Sequence, residues 1–303
     1  MTTMPPWPHD PVDAAAAIRL ALDDRGAAPE PIGEGDFCFA FRVGSDVVRV
    51  AKHAEAAAAL ERESRILPEI ADALPMPVPR LRFHRLADGR ACTVHPELRG
   101  TALARSAWEA LGPDVREGAA RDLARFLDAL HAQPVTTALA LGAPTAYASE
   151  WAARFVDRTA RIRAHLGAAT YTRLDAFLRR CAAGAWADRT PVLLHRDIGL
   201  DHLLWNPARE TLAGVIDFGD FAVGDRAREY IHLYEDVGPW MLKAVLRHTP
   251  RLDHDAFVQR VHAWRLLEGT WWVLARLGEG ATEEAEACLA DFGDALELLS
   301  AKR

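Results

Sequence analysis

His195-Arg-Asp-Ile-Gly-Leu-Asp-His202 and Val215-Ile-Asp-Phe-Gly-Asp220 are the two stretches on which the fold turns. Both follow one plan. A short apolar run, Val192 to Leu194 in one and Val215-Ile216 in the other, reads as a buried strand. An aspartate, Asp197 or Asp217, stands where that strand opens into a loop. Gly219 then lets the chain bend sharply. Phosphoryl transfer to a hydroxyl needs such a pair. One carboxylate orients the attacking hydroxyl and accepts its proton, and the other holds magnesium, which bridges and neutralises the phosphate oxygens. Asp291-Phe-Gly-Asp294 repeats four of these letters but lies in an Ala-, Glu- and Leu-rich segment from 283 to 299 that reads as one helix. No His-Arg-Asp precedes it, so Asp291 is expected to be an ordinary helix residue.

Upstream, the pattern is strand-rich. Asp10-Pro11 is a helix start, with Asp as cap and Pro at the first helical position, and that helix is expected to end at Gly26. Phe37 to Val43 and Val47 to Val50 read as strands turning at Gly44-Ser45. A helix follows from about His53 to Leu67, stopped by Pro68, and Leu74-Pro-Met-Pro-Val-Pro79 reads as an extended connector. Leu81 to Arg85 and Ala91 to Val94 form a hairpin turning at Asp88-Gly89. From Leu103 onward helices dominate, among them 115–132 and about 150–166. Strands early and helices late predict an α+β fold with a small β-rich N-lobe over residues 1–97 and a larger, mainly helical C-lobe over 98–303.

Two glycines in Ile32-Gly-Glu-Gly-Asp36, Gly33 and Gly35, lead into a strand, a loop whose backbone N–H groups can lie over phosphates, although a plain hairpin has the same letters. The following strand carries Arg49, with Lys52 just beyond it, and Glu63 lies on the next helix. A strand cation paired to a helix Glu is a phosphate clamp. Alternation puts Val48 and Val50 on one face and Arg49 on the other, and leaves both Arg49 and Lys52 as candidates.

Composition narrows the partners. The 303 residues hold 43 acidic against 36 basic side chains, a formal charge of −7, which argues against nucleic acid and suits a cationic ligand. Four scattered cysteines without C-x-x-C spacing argue against zinc and fit a reducing cytoplasm. Residues 1–10 lack the apolar run of a signal peptide, and no stretch approaches a membrane span.

Taken together these residues resemble the aminoglycoside phosphotransferases, those acting at the 2''-hydroxyl above all. Gly33-Glu-Gly-Asp36 is similar to their nucleotide loop. Arg49-Val-Ala-Lys-His53 is similar to their third strand, with Arg49 where they carry Lys. Glu63, the Leu74–Pro79 connector, Asp122–His131, His195–His202 and Gly214–Asp220 with Gly224-Asp225 complete the likeness, which spans nearly the whole chain. The resemblance implies a bilobal protein-kinase-like fold, ATP or GTP as co-substrate, Mg2+, a cationic small-molecule acceptor and a monomer. Asp197 would be the catalytic base and Asp217 a metal ligand. His202 stands where the kinase pattern has Asn, five residues after the base, and would bind metal directly, act through water or serve as scaffold. His95 to Leu98 would be the hinge, with the Pro96 carbonyl and the Leu98 N–H toward the base.

An aminoglycoside is a polyamine, so carboxylates should gather at its site. Six acidic residues against two basic lie between Asp217 and Trp240. Glu229, Glu235 and Asp236 are expected on the helix after the Asp217 loop, and Glu268 on a later one, all facing the acceptor. Glu229 stands where the family carries Asp, flanked by Arg226 and Arg228, and Arg49 in place of Lys is also similar to macrolide phosphotransferases. A macrolide or another small alcohol is therefore the alternative acceptor, and a catalytically inactive nucleotide-binding protein the remaining alternative. Trp271 and Trp272 are expected in the core.

Overall fold

A computed structural model describes residues 10–21, 28–86, 89–186, 190–249 and 253–300. The expected helix end at Gly26 and the turn residue Asp88 lie outside the described residues. The chain forms two compact units, residues 1–143 with 199–221 and residues 144–198 with 222–303. The grouping differs from a cut at 97/98 because the strand Leu203–Asn206 pairs with Thr101–Ala102 on one side and with Thr211–Val215 on the other.

The first unit opens with helix α1 (Pro11–Ala21), capped as expected: the Asp13 N–H donates to Asp10 Oδ1 at 2.9 Å. Strands β1 (Glu30–Glu34), β2 (Cys38–Val43) and β3 (Asp46–Ala51), helix α2 (Ala54–Ile70), and strands β4 (Arg82–Arg85) and β5 (Ala91–Pro96) follow. The strands make one antiparallel sheet in the order β1-β2-β3-β5-β4. Alternation splits its two faces. Phe39, Phe41, Val48, Val50 and Val94 pack with Ala14 and Ile18 of α1. Cys38, Ala51 and Ala91 pack on the other face with Ala56 and Leu60 of α2. Arg49 shares this second face with Ala51, which turns its guanidinium toward α2.

The glycine loop takes the hairpin form the sequence allowed, and one helix end differs from expectation. β1 includes the first of the two glycines, so the loop is the turn of a hairpin in which the Gly35 N–H donates to the Cys38 carbonyl at 3.0 Å. Helix α2 does not stop at Leu67 but carries Pro68 inside its last turn. A proline there forfeits one backbone hydrogen bond, while burial of Leu67 and Ile70 carries the helix on, at roughly 1.5–3 kcal/mol for each large apolar side chain. Its first residue follows His53, whose Nδ1 accepts from the Ala56 N–H at 3.2 Å.

The second unit holds a three-stranded sheet of Thr145–Ala146, Ala222–Gly224 and Val192–Leu194. Its helices include Ala148–Phe155, Ala168–Ala182, Ile231–Val237, Pro239–Arg247, His254–Glu279 and Thr282–Ser300. The one helix expected over 150–166 breaks at Phe155 and continues as 3-10 turns to His165. Val156 and Thr159 are β-branched, and the Thr159 hydroxyl donates to the Val156 carbonyl at 3.0 Å, which competes with regular helix. Asp291 lies within the helix Thr282–Ser300, away from any strand end. Among the described residues no helix is long and apolar enough to cross a membrane.

Candidate active site

In the first unit the strand Thr211–Val215 delivers Asp217 to its turn. The Val215 N–H donates to the Pro77 carbonyl at 3.0 Å, fastening the strand to the extended connector. Gly214 is required there, since a Cβ would stand 2.8 Å from that carbonyl oxygen. Asp217 itself has φ 63°. Aspartate tolerates the left-handed region better than most residues, yet the conformation still costs on the order of 1–2 kcal/mol and is held by its surroundings. Next to it, the Phe218 N–H donates to Glu63 Oε1 at 3.1 Å.

Arg49 fastens the other side. Its Nη1 donates to both oxygens of Glu63 at 2.9 Å, and its Nη2 donates to Asp217 Oδ1 at 2.6 Å. Glu63 is 1 % exposed, so burial pushes its carboxyl up, aided by the charge on Asp217 and opposed by Arg49 and the Phe218 N–H. Burial likewise disfavours the charge on Arg49, but Asp217 and Glu63 outweigh it and hold the guanidinium firmly protonated. Of the two candidate cations, Arg49 is therefore the one paired with the helix Glu. Lys52 turns outward, 2.6 Å from Glu34 Oε1 and 4.5 Å from the centre of the Phe39 ring.

His202 Nε2 lies 3.7 Å from Asp217 Oδ2 and equally 3.7 Å from Asp201 Oδ2, so the structure brings the two expected metal ligands together. The Ile216 N–H donates to the His202 carbonyl at 3.1 Å, which sets the spacing. Among the described residues no cluster of three or more metal-ligating side chains exists. Magnesium fits this donor set all the same. It commonly takes one or two carboxylates and fills its shell with phosphate oxygens and water, and the Asp217 side chain is 42 % exposed. A Cβ on Gly33 or Gly35 would meet 3.9 Å contact or open space respectively, so neither glycine is demanded by internal packing. At the predicted hinge, Pro96 ends β5 and its carbonyl lies 2.9 Å from His95 Nδ1, while Leu98 follows in the connecting segment.

In the second unit Asp197 follows Val192–Leu194, with its side chain 37 % exposed. The loop is held by Glu229. Its two oxygens accept from the His195 N–H at 2.9 Å and the Arg196 N–H at 2.8 Å, while the Asp197 N–H donates to His195 Nδ1 at 3.2 Å. Arg196 has φ 76°, strained for a residue with a long side chain. Its carbonyl accepts from Arg228 Nη1 at 3.2 Å, so the strained peptide is gripped on both sides by consecutive residues, Arg228 and Glu229.

These contacts place two expected acceptor carboxylates elsewhere. Glu229 is fully buried in a 3-10 turn, Arg226–Tyr230, and its oxygens serve the loop backbone. Glu268 is buried and paired with Arg228, which lies over the rings of Trp151 and Trp264. Burying either charge alone would be costly, so each is matched by a donor. Glu235 and Asp236 do sit on the helix Ile231–Val237, Glu235 exposed and Asp236 half-buried. Trp271 is 39 % exposed, its ring edge-on to Trp272 and Trp151. The expectation of core positions fails for both, since Trp272 is only half-buried.

One residue absent from the sequence reading is His232. Its Nε2 lies 3.5 Å from Asp197 Oδ1, and its Nδ1 lies 3.3 Å from Glu235 Oε2. The spacing to Glu235, three residues along one helix, was the available signal.

The phosphotransferase enzyme family model matches residues 39–264, which include Arg49, Glu63, Asp197, His202, Asp217, Glu229 and His232, while the glycine loop, Glu268, Trp271 and Trp272 lie outside that span. The chain belongs to this family. Among solved structures it is similar to the GDP and kanamycin complex of APH(2")-IIIa, with 24 % identity, 96 % of this chain and 99 % of that one covered, and a TM-score of 0.83. It is also similar to the gentamicin complex of APH(2")-IIa, with 20 % identity, 88 % and 90 % covered, and a TM-score of 0.67. The macrolide 2'-phosphotransferase MphH from Brachybacterium faecium gives 21 % identity, 92 % and 98 % covered, and a TM-score of 0.64. None of the curated protein sequences compared with the chain matches it. The likenesses establish the kinase-like α+β fold, with a β-sheet N-terminal region and a helical C-terminal region.

Proposed function

We propose that this phosphotransferase moves the γ-phosphoryl group of ATP or GTP to a hydroxyl of an aminoglycoside. The observation that carries the reading is Arg49 bonded at once to Glu63 and Asp217, which puts a cation beside the carboxylate proposed to hold magnesium. In this reading Gly33 and Gly35 offer backbone N–H groups to the phosphates, and Pro96 and Leu98 meet the base. Lys52, engaged with Glu34, would act only at the rim. Asp217 holds magnesium with His202 beside it, and the ion neutralises phosphate charge when bound. Asp197 orients the acceptor hydroxyl, and Glu229 holds the loop that presents it. Glu235 and Asp236 meet the acceptor's ammonium groups.

A macrolide acceptor is the second reading, favoured by a specific observation. Glu268 is neutralised by Arg228, and Trp271 and Trp272 present aromatic surface in the same unit. The test is direct. The pure protein is incubated with ATP or GTP, magnesium, and a panel of aminoglycosides and macrolides, and mass spectrometry looks for one added phosphate. A phosphorylated kanamycin supports the first reading and a phosphorylated erythromycin the second. No product with nucleotide bound refutes both. The two nucleotides are both tried because the solved relatives include GDP and ADP complexes.

A further inference from the structure

We infer that His232 is a positioning and acceptor-selecting residue, its imidazolium bridging Asp197 and Glu235 so that one carboxylate is fixed for catalysis and the other is partly withheld from a cationic acceptor. The inference rests on the proposed phosphoryl transfer and deepens it.

The geometry is specific. Both ring nitrogens face carboxylate oxygens, Nε2 at 3.5 Å from Asp197 and Nδ1 at 3.3 Å from Glu235. A neutral imidazole carries one N–H and sets a lone pair against the second carboxylate; only the imidazolium presents N–H to both. The groups around it agree. Asp197 comes from the loop after Val192–Leu194, Glu235 from the same helix, and Glu268, with Arg228 paired to it, from the helix His254–Glu279. Burial disfavours the charge on His232, but Glu235, Asp197 and Glu268 overcome it and push the group up to about 9.

Two consequences follow. A positive charge 3.5 Å from one Asp197 oxygen biases the rotation of the carboxylate, which matters because a loose phosphoryl-transfer transition state asks the base to orient the hydroxyl more than to remove its proton. The trio Asp197, His232 and Glu235 also carries a net charge of −1 in place of −2. An acceptor ammonium reaching Glu235 must share it with the imidazolium, so a polycation is bound less tightly than the bare acidic count implies.

The test has two arms. In [13C]histidine-labelled full-length protein, the His232 signal is assigned by its loss in His232→Asn and titrated by NMR. It is expected to titrate well above pH 6.5 and to fall by more than one unit in Glu235→Gln. In the second arm His232→Asn is expected to lower KM for kanamycin by about 10-fold, the worth of one charged contact near 1.4 kcal/mol, with less than a 2-fold change for erythromycin. The same variant should lower kcat for whichever acceptor is used. Titration at or below pH 6.5, or an unchanged titration in Glu235→Gln, overturns the inference whatever the activity. If neither antibiotic is phosphorylated, the proposed acceptors fail and the titration alone decides the bridge. An unchanged KM and kcat beside a raised titration would also overturn it, leaving a merely structural ion pair.

Discussion

Replacing Glu63 by Gln tests whether the Arg49 junction is held as the structure has it. The substitution keeps the shape and removes the charge. Glu63 accepts three hydrogen bonds, two from Arg49 and one from the Phe218 N–H, at 2.9, 2.9 and 3.1 Å. A glutamine offers one oxygen and turns an NH2 group toward a guanidinium or a backbone N–H. Removing one partner of a buried pair costs about 3–5 kcal/mol; here Asp217 still faces Arg49 at 2.6 Å, so the lower end, about 3 kcal/mol, is expected. For a compact unit of this size each kcal/mol moves the melting midpoint by about 2–4 °C, giving a fall of about 6–12 °C by calorimetry. The control is Lys52→Ala, which breaks the pair with Glu34, whose side chain is 55 % exposed. Exposed pairs are worth about 0–1 kcal/mol, so that variant should lose no more than about 4 °C. Nucleotide KM should rise in Glu63→Gln, because Arg49 is no longer aimed. Equal melting points for the wild type and Glu63→Gln would refute the reasoning. A larger loss in Lys52→Ala would refute it as well, since it would make Lys52 the anchored cation.

Other expectations are as open to measurement. Asp197→Ala should abolish phosphoryl transfer while leaving nucleotide affinity by calorimetry within about 2-fold, because the part proposed for Asp197 is to orient the acceptor hydroxyl and not to bind nucleotide; full activity would remove Asp197 from the mechanism. His232 also links stability to pH. Its folded value lies above the unfolded one, so its contribution is complete below about 6.5 and is lost as pH rises through about 9. Urea unfolding of the wild type and His232→Asn should therefore differ most at pH 6, by up to about 1 kcal/mol, and converge above pH 9. Of the four cysteines, Cys38, Cys92 and Cys181 are buried and Cys288 is half-buried, and burial pushes Cys38 up to about 11 and Cys181 up to about 12. A thiol reagent at pH 8 should label one site quickly in the native protein and all four after unfolding.

Much of this fold could be read from letters because it follows local rules. Alternation put Arg49 opposite Val48 and Val50, and the β3 pairing confirms the face. The cap at Asp10 and the hairpin over 82–96 are turn and cap chemistry. What escaped reading depended on tertiary partners. Lys52 and Arg49 stood equal until the strand's end was known, since one residue past a strand no longer obeys its alternation. Pro68 stayed helical because Leu67 and Ile70 are buried, which no propensity contains. Glu229 looked like a carboxylate available to a ligand, whereas two backbone N–H groups from a loop more than thirty residues earlier claim it. His232 carried no charge in the sequence count and gains one only from what folds around it.

The same point bears on how acceptor recognition is inferred. A tally of six acidic residues from Asp217 to Asp236 suggests a cradle for a polycation. Matching four of them to their partners changes the sum. Asp217 meets Arg49, Asp225 accepts from Arg260 and the Ala227 N–H, Glu229 accepts from the His195 and Arg196 N–H groups, and Glu235 faces His232. Glu268, outside that stretch, is matched by Arg228. On the proposed reading, the preference for charged acceptors depends on how far the protein's own cations already occupy the carboxylates of the second unit. His232 is the member of that set whose charge changes within an accessible pH range. Raising the pH through about 9 should therefore act on acceptor preference in the same direction as replacing His232, favouring the more highly charged antibiotic for as long as its own amines stay protonated.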